Sequence, residues 1–292
     1  MKTTPFLLSL LLIPGPAAAF YWDAGTHASF GSNGYGAASG FVEVGADEGL
    51  YARPSVAVYH SDFVKATKVY TGRAGWAGKH LGLGAEGSFT PKADGYQNTA
   101  FAADISYAVV GAARKPSPEG DSKGSGLARL VFGAGARHIA HKETLAELQR
   151  RSPAADRALN AGQTDLSAFA GAGLLGFDLD ASITQSVYTQ NLPRLVRPIQ
   201  PAAVSGANPS AFGFPDTSAD ARLTCRRIPI VKPYAAFAWR SLKADQPAAR
   251  TYTTGASAGI GLLEVSAFYN LYDPGRGAPK HGYSGASASI KF

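Results

Sequence analysis

The chain has 292 residues and a formal net charge of +7 at pH 7, although charged residues make up only 17% of it. It contains 34 glycines, 13 tyrosines, 15 phenylalanines and a single methionine. A helical globular protein would contain more Leu, Lys and Glu, so this composition argues against that class. Cys225 is the only cysteine, which excludes an internal disulfide.

The first nineteen residues have the three parts of a secretory signal peptide. Lys2 follows the first methionine, the apolar run "PFLLSLLLI" comes next, and an Ala-x-Ala sequence ends at Ala19. Two prolines make the apolar run too short for a membrane-spanning helix. We therefore expect a signal peptide over 1–19 and one mature domain over 20–292. The positive charge does not predict a nucleic-acid partner, because an exported chain is in the wrong compartment for one.

Along the mature sequence, apolar and polar residues alternate in segments of about ten residues, the length of a tilted strand that crosses a bilayer. In "KHLGLGAEGSF", Leu81 and Phe89 share one face while His80 and Glu86 share the other. Repetition of the pattern predicts about fourteen strands. Twelve is the alternative, because "PIVKP" within 220–242 fits either a turn or one continuous strand. The predicted strands are 22–32, 36–46, 49–60, 66–77, 79–90, 98–110, 127–139, 163–174, 177–190, 220–228, 233–242, 251–259, 262–272 and 282–292.

A β-sandwich also alternates, but two features favour a closed membrane barrel. The apolar faces are interrupted by Ala and Gly, whereas a sandwich core is built from large side chains. The polar faces carry charges in mid-strand, as at Glu86, Asp104 and Arg129. Strands cross a bilayer only when they close and leave no edge unpaired. The sequence therefore predicts an all-β protein, a transmembrane antiparallel up-and-down β-barrel.

The predicted connections differ in length in the way expected for short periplasmic turns and longer external loops. If the first strand starts in the periplasm, the long connections 140–162 and 191–219 are external. A Pro-, Ser- and Gly-rich segment at 111–126 is the one long connection on the periplasmic side. In the long external connection 140–162, the spacing of Glu and Arg in "KETLAELQRRSPAADRAL" predicts a short helix.

The chain ends in "GYSGASASIKF", an alternating strand with aromatic Tyr283 near its start and apolar Ile290 and Phe292 at its end. This ending resembles the C-terminal signal of bacterial outer-membrane β-barrel proteins, and the resemblance to that porin-like class covers the mature chain. It implies a place in the bacterial outer membrane, contact with its lipid and lipopolysaccharide, and recognition by the barrel-assembly machinery. The last strand is expected to pair with the first.

The expected function is a passive pore for small solutes with a preference for anions, formed by a monomer. Eight strands leave a filled interior and sixteen leave an aqueous channel, so inward Gly, Ala and Ser residues matter at fourteen. Arginine rings on a pore wall favour anions. The alternative is that these arginines pair with acids and fill the interior. The predicted lumen residues are Arg53, Arg73, Arg129, Arg137, Arg240, Glu86 and Asp104, and the predicted basic loop cluster is Arg194, Arg197, Arg222, Arg226 and Arg227.

Two other classes of function stay open: a barrel-embedded lipid-modifying hydrolase, and a plugged structural or adhesive barrel. For the hydrolase, His27 and Ser29 share a face and are the candidate base and nucleophile. In the phospholipases and lipid A deacylases of the outer membrane, Asn follows the His-x-Ser stretch, but Phe30 occupies that position here. We expect His27 to be an interior polar residue. His138 and His141 lack the spacing of a metal site, and no metal or cofactor is predicted.

Overall fold

A computed structural model describes residues 20–46, 48–62, 64–111, 128–151, 153–189, 192, 213–243 and 246–292. Over these residues the chain forms a closed barrel of fourteen antiparallel strands. The strands are β1 (Phe20–Gly31), β2 (Tyr35–Ala46), β3 (Gly49–Ser61), β4 (Val64–Ala77), β5 (Leu81–Ala93), β6 (Tyr96–Val110), β7 (Ala128–Glu143), β8 (Leu159–Leu174), β9 (Phe177–Tyr188), β10 (Pro215–Cys225), β11 (Val231–Leu242), β12 (Ala249–Ile260), β13 (Leu263–Asp273) and β14 (His281–Lys291).

The barrel closes between its first and last strands. Each strand hydrogen-bonds to its neighbours in sequence, and β14 pairs with β1. At this seam the Trp22 amide donates to the Phe292 carbonyl at 3.1 Å, the Phe292 amide donates to the Trp22 carbonyl at 2.8 Å, and the two rings stack at 4.7 Å. The predicted fourteen strands and the pairing of the last with the first are confirmed. The twelve-stranded alternative is wrong, because 220–242 contains parts of both β10 and β11.

The outward face of the strands is apolar and exposed. Phe101 is 74% exposed, and large apolar side chains such as Leu166 and Ile183 lie on the same outer surface. A water-soluble monomer rarely exposes so much contiguous apolar surface. Hydrocarbon covers such a surface in a bilayer, and strand closure satisfies every backbone donor and acceptor there. The architecture is therefore that of a transmembrane β-barrel.

On the inner wall, aromatic rings cover several glycines of neighbouring strands. A Cβ atom at Gly25 would lie 2.6 Å from Phe41 Cε1, and the two residues pair directly across β1 and β2. A Cβ atom at Gly255 would lie 2.5 Å from Tyr234 Cζ. The same cover joins Phe169 to Gly133, Phe268 to Gly285 and Tyr283 to Gly31. Glycine lets each ring lie flat on the backbone, so these large side chains line the wall instead of crossing the lumen.

The connections divide the barrel into two ends. The short turns, such as 175–176 and 261–262, lie at the end that also holds both chain termini of the barrel. We assign this end to the periplasm and the other to the outside. The segment 112–127 falls outside the described residues, and within the described part of the chain no helix is long and apolar enough to cross a membrane.

The external loops are shorter than predicted, because the strands extend further. β7 runs to Glu143 and β8 begins at Leu159, so the loop between them spans 144–158. The predicted helix is confirmed as α1 (Leu145–Arg151). Arg150 of this helix pairs with Asp94, in the turn between β5 and β6, at 3.1 Å. The helix therefore lies at the outer end of the barrel, against a neighbouring hairpin.

Candidate functional site in the barrel interior

Alternation along the strands places all of the predicted lumen residues on the inner wall. The residues whose exposure is low or intermediate alternate with the exposed apolar ones on each strand, and the predicted arginines and acids fall in the first group. Because side chains of successive strand residues point to opposite faces, the sequence period is sufficient to place them. What it does not show is which of these charges contact each other.

Arg73 contacts two carboxylates on the inner wall. Its guanidinium is 2.7 Å from an Asp104 carboxylate oxygen and 3.9 Å from Glu86, and its Nε donates to the Tyr51 hydroxyl at 3.3 Å. The Asp104 side chain is nearly buried. A charge that enters a partly desolvated wall needs such a partner. Arg73, Glu86 and Asp104 therefore form a local ion-pair group across β4, β5 and β6.

Arg129 is held in a second group near the periplasmic end. It is 7% exposed, ion-paired with Asp180, and 3.8 Å from Asp178. Asp178 also pairs with Arg226. These contacts favour the pairing interpretation of Arg129 over a role in attracting solutes, because its charge is balanced and almost shielded from lumen water.

Arg53 and Arg222 each lie over an aromatic ring. The Arg53 Cζ atom is 3.8 Å from the centre of the Phe41 ring, and the Arg222 Cζ atom is 3.8 Å from the centre of the Tyr234 ring. Both arginines are half-buried. A cation over an aromatic face at this distance is stabilised by the quadrupole of the ring. These two guanidiniums are thus oriented by rings that themselves lie flat on the wall.

Three of the five arginines of the predicted basic loop cluster lie among the described residues. Arg222 lies within β10, on the inner wall, and Arg226 and Arg227 follow β10 in the connection at the periplasmic end. Arg194 and Arg197 fall outside the described residues. Arg137 also lies on the inner wall, where its guanidinium donates to the Ser88 hydroxyl at 3.3 Å.

The outer end of the interior is lined by tyrosines, a feature that the sequence analysis missed. We call this set the outer tyrosine layer. Tyr59, Tyr96 and Tyr283 are fully buried within it, and Phe214 packs beside Tyr96 and Leu159. The signal was present in the sequence, because these tyrosines occupy inward positions near the outer ends of their strands. The members of the layer are Tyr35, Tyr59, Tyr96, Tyr188, Tyr272 and Tyr283.

A chain of hydrogen bonds supports this layer from the wall. The Tyr96 hydroxyl is 2.8 Å from His141 Nδ1, and His141 Nε2 is 3.0 Å from Gln163 Oε1. Gln163 Nε2 donates to Asp165 at 2.8 Å, and so does the Ser186 hydroxyl at 2.6 Å. Both imidazole nitrogens are therefore occupied, which fixes His141 as a buried structural residue.

The candidate catalytic residues contact aromatic side chains, and the candidate metal residues lie on opposite faces of β7. The His27 ring stacks on Phe268, with ring centres 5.4 Å apart, and the Ser29 hydroxyl hydrogen-bonds with Tyr35. His138 is exposed on the outer face, where it contacts Thr164, while His141 is buried inside. Two histidines three residues apart on a strand lie on opposite faces, so they cannot bind the same metal ion.

A closed antiparallel barrel with an apolar exterior, short turns at one end and a polar, partly ion-paired interior defines the class of bacterial outer-membrane β-barrel proteins. No model of a known protein family matches the chain, and no curated protein matches it.

Several solved structures of porin-like proteins are similar along most of their length. OccAB1 of Acinetobacter baumannii is 9% identical, with 94% of this chain and 95% of that chain covered and a TM-score of 0.48. OccK5 (OpdH) of Pseudomonas aeruginosa is 9% identical, with coverages of 94% and 97% and a TM-score of 0.44. The outer membrane protein OprD of Pseudomonas aeruginosa is 7% identical, with coverages of 94% and 93% and a TM-score of 0.43. At these identities and TM-scores, none of them transfers a substrate to this chain.

Proposed function

We propose that the protein is a passive outer-membrane pore for small polar solutes. The observation that carries this proposal is the construction of the inner wall. Its large rings lie flat on glycines, as Phe41 does on Gly25, and polar side chains such as Arg53, Asp220 and Arg240 remain accessible in the interior. A wall built in this way keeps large side chains out of the lumen. This matters because a barrel of fourteen strands has an interior of intermediate width.

A weak preference for anions is the second part of the proposal. Among the described residues, the carboxylates of Asp23, Glu43, Glu143 and Asp178 are buried, whereas Arg129 is the one buried arginine. Burial in the wall removes negative charge from the solute path more than it removes positive charge. Arginines that stay accessible on a pore wall favour anions. The preference is weak because Arg73 is balanced by Asp104 and Glu86.

The outer tyrosine layer sets the size limit in this proposal. Its fully buried members lie at the outer end, while the charged residues of the middle wall are half-buried. A solute from outside would therefore meet an apolar, hydroxyl-bearing narrowing before it meets the charged wall. The same packing favours the second candidate function, a barrel closed at its outer end that does not conduct.

Single-channel recording of the refolded mature protein in a planar bilayer tests the proposal. Across a potassium chloride gradient, we expect steady current steps and a reversal potential whose sign shows that chloride is more permeant than potassium. A correctly folded barrel, identified by heat-modifiable gel migration, that never conducts would refute the pore and favour the closed structural barrel. A reversal potential of the opposite sign, which would show that potassium is more permeant, would refute the anion preference but not the proposal of a pore.

Assembly and oligomeric state complete the proposal. We propose insertion by the barrel-assembly machinery through the Tyr283, Ile290 and Phe292 ending, contact of the outer surface with lipid and lipopolysaccharide, and a monomeric state. Support for the assembly signal is the position of Phe292 at the closing seam, where it stacks on Trp22. Cross-linking in native membranes, with recovery of the monomer alone as the expected result, tests the oligomeric state.

A further inference from the structure

Three neighbouring turns at the periplasmic end carry exposed apolar side chains. They join β8 to β9, β10 to β11 and β12 to β13, so they occupy one continuous part of the ring. Turns that face water are usually built from Gly, Pro, Asn, Asp and Ser. Here the exposed fractions are 63% for Leu174 and for Leu175, 47% for Ile228, 59% for Ile230, 68% for Ile260 and 58% for Leu262. We call these residues the apolar periplasmic rim.

The first of these turns places a leucine where the backbone favours glycine or asparagine. Leu175 has a φ of 53° and Gly176 has a φ of 82°, the combination that Asn-Gly usually supplies in a two-residue hairpin turn. A left-handed backbone is unfavourable for leucine, because its Cβ atom approaches the following carbonyl oxygen. Asparagine would fit this turn better in water, so the leucine indicates an apolar environment around the turn.

The described turns on the other side of the ring are polar. Glu48 is exposed between β2 and β3, and Lys79 is exposed between β4 and β5. Two exposed tryptophans lie near these turns, Trp22 two residues inside the start of β1 and Trp76 one residue inside the end of β4. Tryptophan is enriched where hydrocarbon meets headgroups. On this side the membrane surface therefore lies inside the strand ends, whereas the rim residues occupy the last strand position or the turn itself.

The rim continues the surface that contacts lipid. On the same strands, the outward positions next to the rim are occupied by exposed Phe177, Leu179, Leu223, Leu263 and Val265. Apolar side chains thus extend from the membrane-spanning wall around the ends of these strands. A large exposed apolar surface marks a site of interaction with a membrane or a protein. Because acyl chains cover the wall, continuity favours acyl chains as the occupant of the rim.

Backbone carbonyl groups of the rim have donors within the protein. The Leu175 carbonyl accepts a hydrogen bond from Arg227 Nε at 3.0 Å. The Leu262 carbonyl accepts one from the Lys291 amide at 2.9 Å. Water would satisfy such groups in an aqueous turn, but acyl chains cannot, so a turn at the edge of the hydrocarbon needs internal donors. These two contacts meet that need.

The side chain of Arg227 suits the same boundary. Its Cζ atom is 5.3 Å from the centre of the Phe177 ring, and the side chain is exposed. A long basic side chain at a membrane surface lays its aliphatic part on apolar groups and extends its charge toward water and headgroups. Arg227 therefore satisfies the turn carbonyl while its charge stays at the level of the headgroups.

We propose that the apolar periplasmic rim inserts into the periplasmic leaflet of the outer membrane, so that the barrel sits deeper in the bilayer at β8–β13 than at β1–β5. The partner of this surface is the acyl-chain region of phospholipid. Three turn tips form a narrow edge, which fluid chains can surround but which offers a folded protein little area to bury. This position in the membrane does not depend on whether the barrel conducts, so it goes beyond the proposed pore.

Spin-label accessibility tests this position. Single cysteines are introduced into the Cys225→Ser background at three rim positions and in two polar turns at the same end of the barrel: Leu175→Cys, Ile230→Cys, Leu262→Cys, Glu48→Cys and Lys79→Cys. Each nitroxide-labelled variant is refolded into vesicles of phosphatidylethanolamine and phosphatidylglycerol. Molecular oxygen concentrates among acyl chains, whereas a nickel chelate stays in water. We expect a higher ratio of oxygen to nickel collisions at all three rim positions than at the two matched controls.

Two results would overturn the insertion. Equal collision ratios at the rim and control positions would mean that water covers the rim. Rim labels that neither reagent reaches would mean that protein covers it, and spectral broadening that disappears on dilution with lipid would identify that protein as a second copy of the chain. If one variant lacks the heat-modifiable migration of a folded barrel, the other two rim positions still decide between these results.

Discussion

Gly25→Ala is the sharpest test of the packing of aromatic rings on inward glycines of the barrel wall. The added Cβ atom would lie 2.6 Å and 2.8 Å from two carbons of the Phe41 ring and 2.8 Å from Ser289 Cβ. Carbon atoms pack favourably at about 3.5–4.0 Å, so all three contacts are repulsive. The ring cannot lift freely, because Arg53 occupies its other face at 3.8 Å. We expect a loss of about 1–3 kcal/mol in the free energy of unfolding, the usual cost of overpacking.

Urea unfolding in lipid vesicles, followed by tryptophan fluorescence, measures this loss. Gly40→Ala is the matched control on the neighbouring strand, because a Cβ atom there would meet nothing closer than the Gly25 carbonyl oxygen at 3.8 Å. The control should be neutral or stabilising by about 0.4–1 kcal/mol, since alanine reduces the freedom of the unfolded chain. In Gly25→Ala/Phe41→Leu the loss should be smaller than the sum of the two single losses, because the smaller side chain removes the clash.

Equal free energies of unfolding for Gly25→Ala and Gly40→Ala would refute the reasoning. That result would mean that the Phe41 ring does not rest on the wall at Gly25. The orientation of Arg53 would then lose its support as well, because the ring fixes the guanidinium only while its other face is covered.

Three further predictions follow from the ion pairs, the outer layer and the seam. Arg129→Met should lower the free energy of unfolding by about 3–5 kcal/mol, because it leaves Asp180 without its partner in a shielded wall. Urea unfolding measures this loss, and a loss below about 1 kcal/mol would contradict a stabilising Arg129–Asp180 ion pair. Phe214→Ala should raise single-channel conductance by loosening the outer tyrosine layer, and unchanged conductance would place the narrowing elsewhere. Phe292→Ser should slow folding into vesicles by removing the stack on Trp22, and an unchanged rate of appearance of the folded gel band would contradict a role in closure.

The class of protein followed from sequence because of a physical constraint. A strand that crosses lipid must alternate with period two and must close with its neighbours. The inward positions of Arg53, Asp104 and Arg137 were predicted from that period, and the pairing of the last strand with the first was predicted from the need to close. The period was less decisive where the pattern was short, since "PIVKP" within 220–242 fitted either a turn or one continuous strand.

Pairing across strands could not be predicted in the same way. Register decides which inward side chains meet, and register depends on every turn and bulge between them. Arg73 and Asp104 lie on strands separated by a third, and Arg129 meets Asp180 two strands away. The sequence left pairing and anion selection equally open, whereas the structure shows that Arg73 and Arg129 are ion-paired.

The sequence by itself determined the closed barrel and the face on which most charges lie, because the two-residue period and the bilayer together favour that arrangement. It left the strand number open between fourteen and twelve. Tertiary structure alone decided that aromatic rings lie flat on glycines, that tyrosines pack at the outer end, and that Arg53 and Arg222 lie over aromatic rings. These features depend on contacts between inward side chains of different strands, and only the closed ring of fourteen strands brings these side chains together.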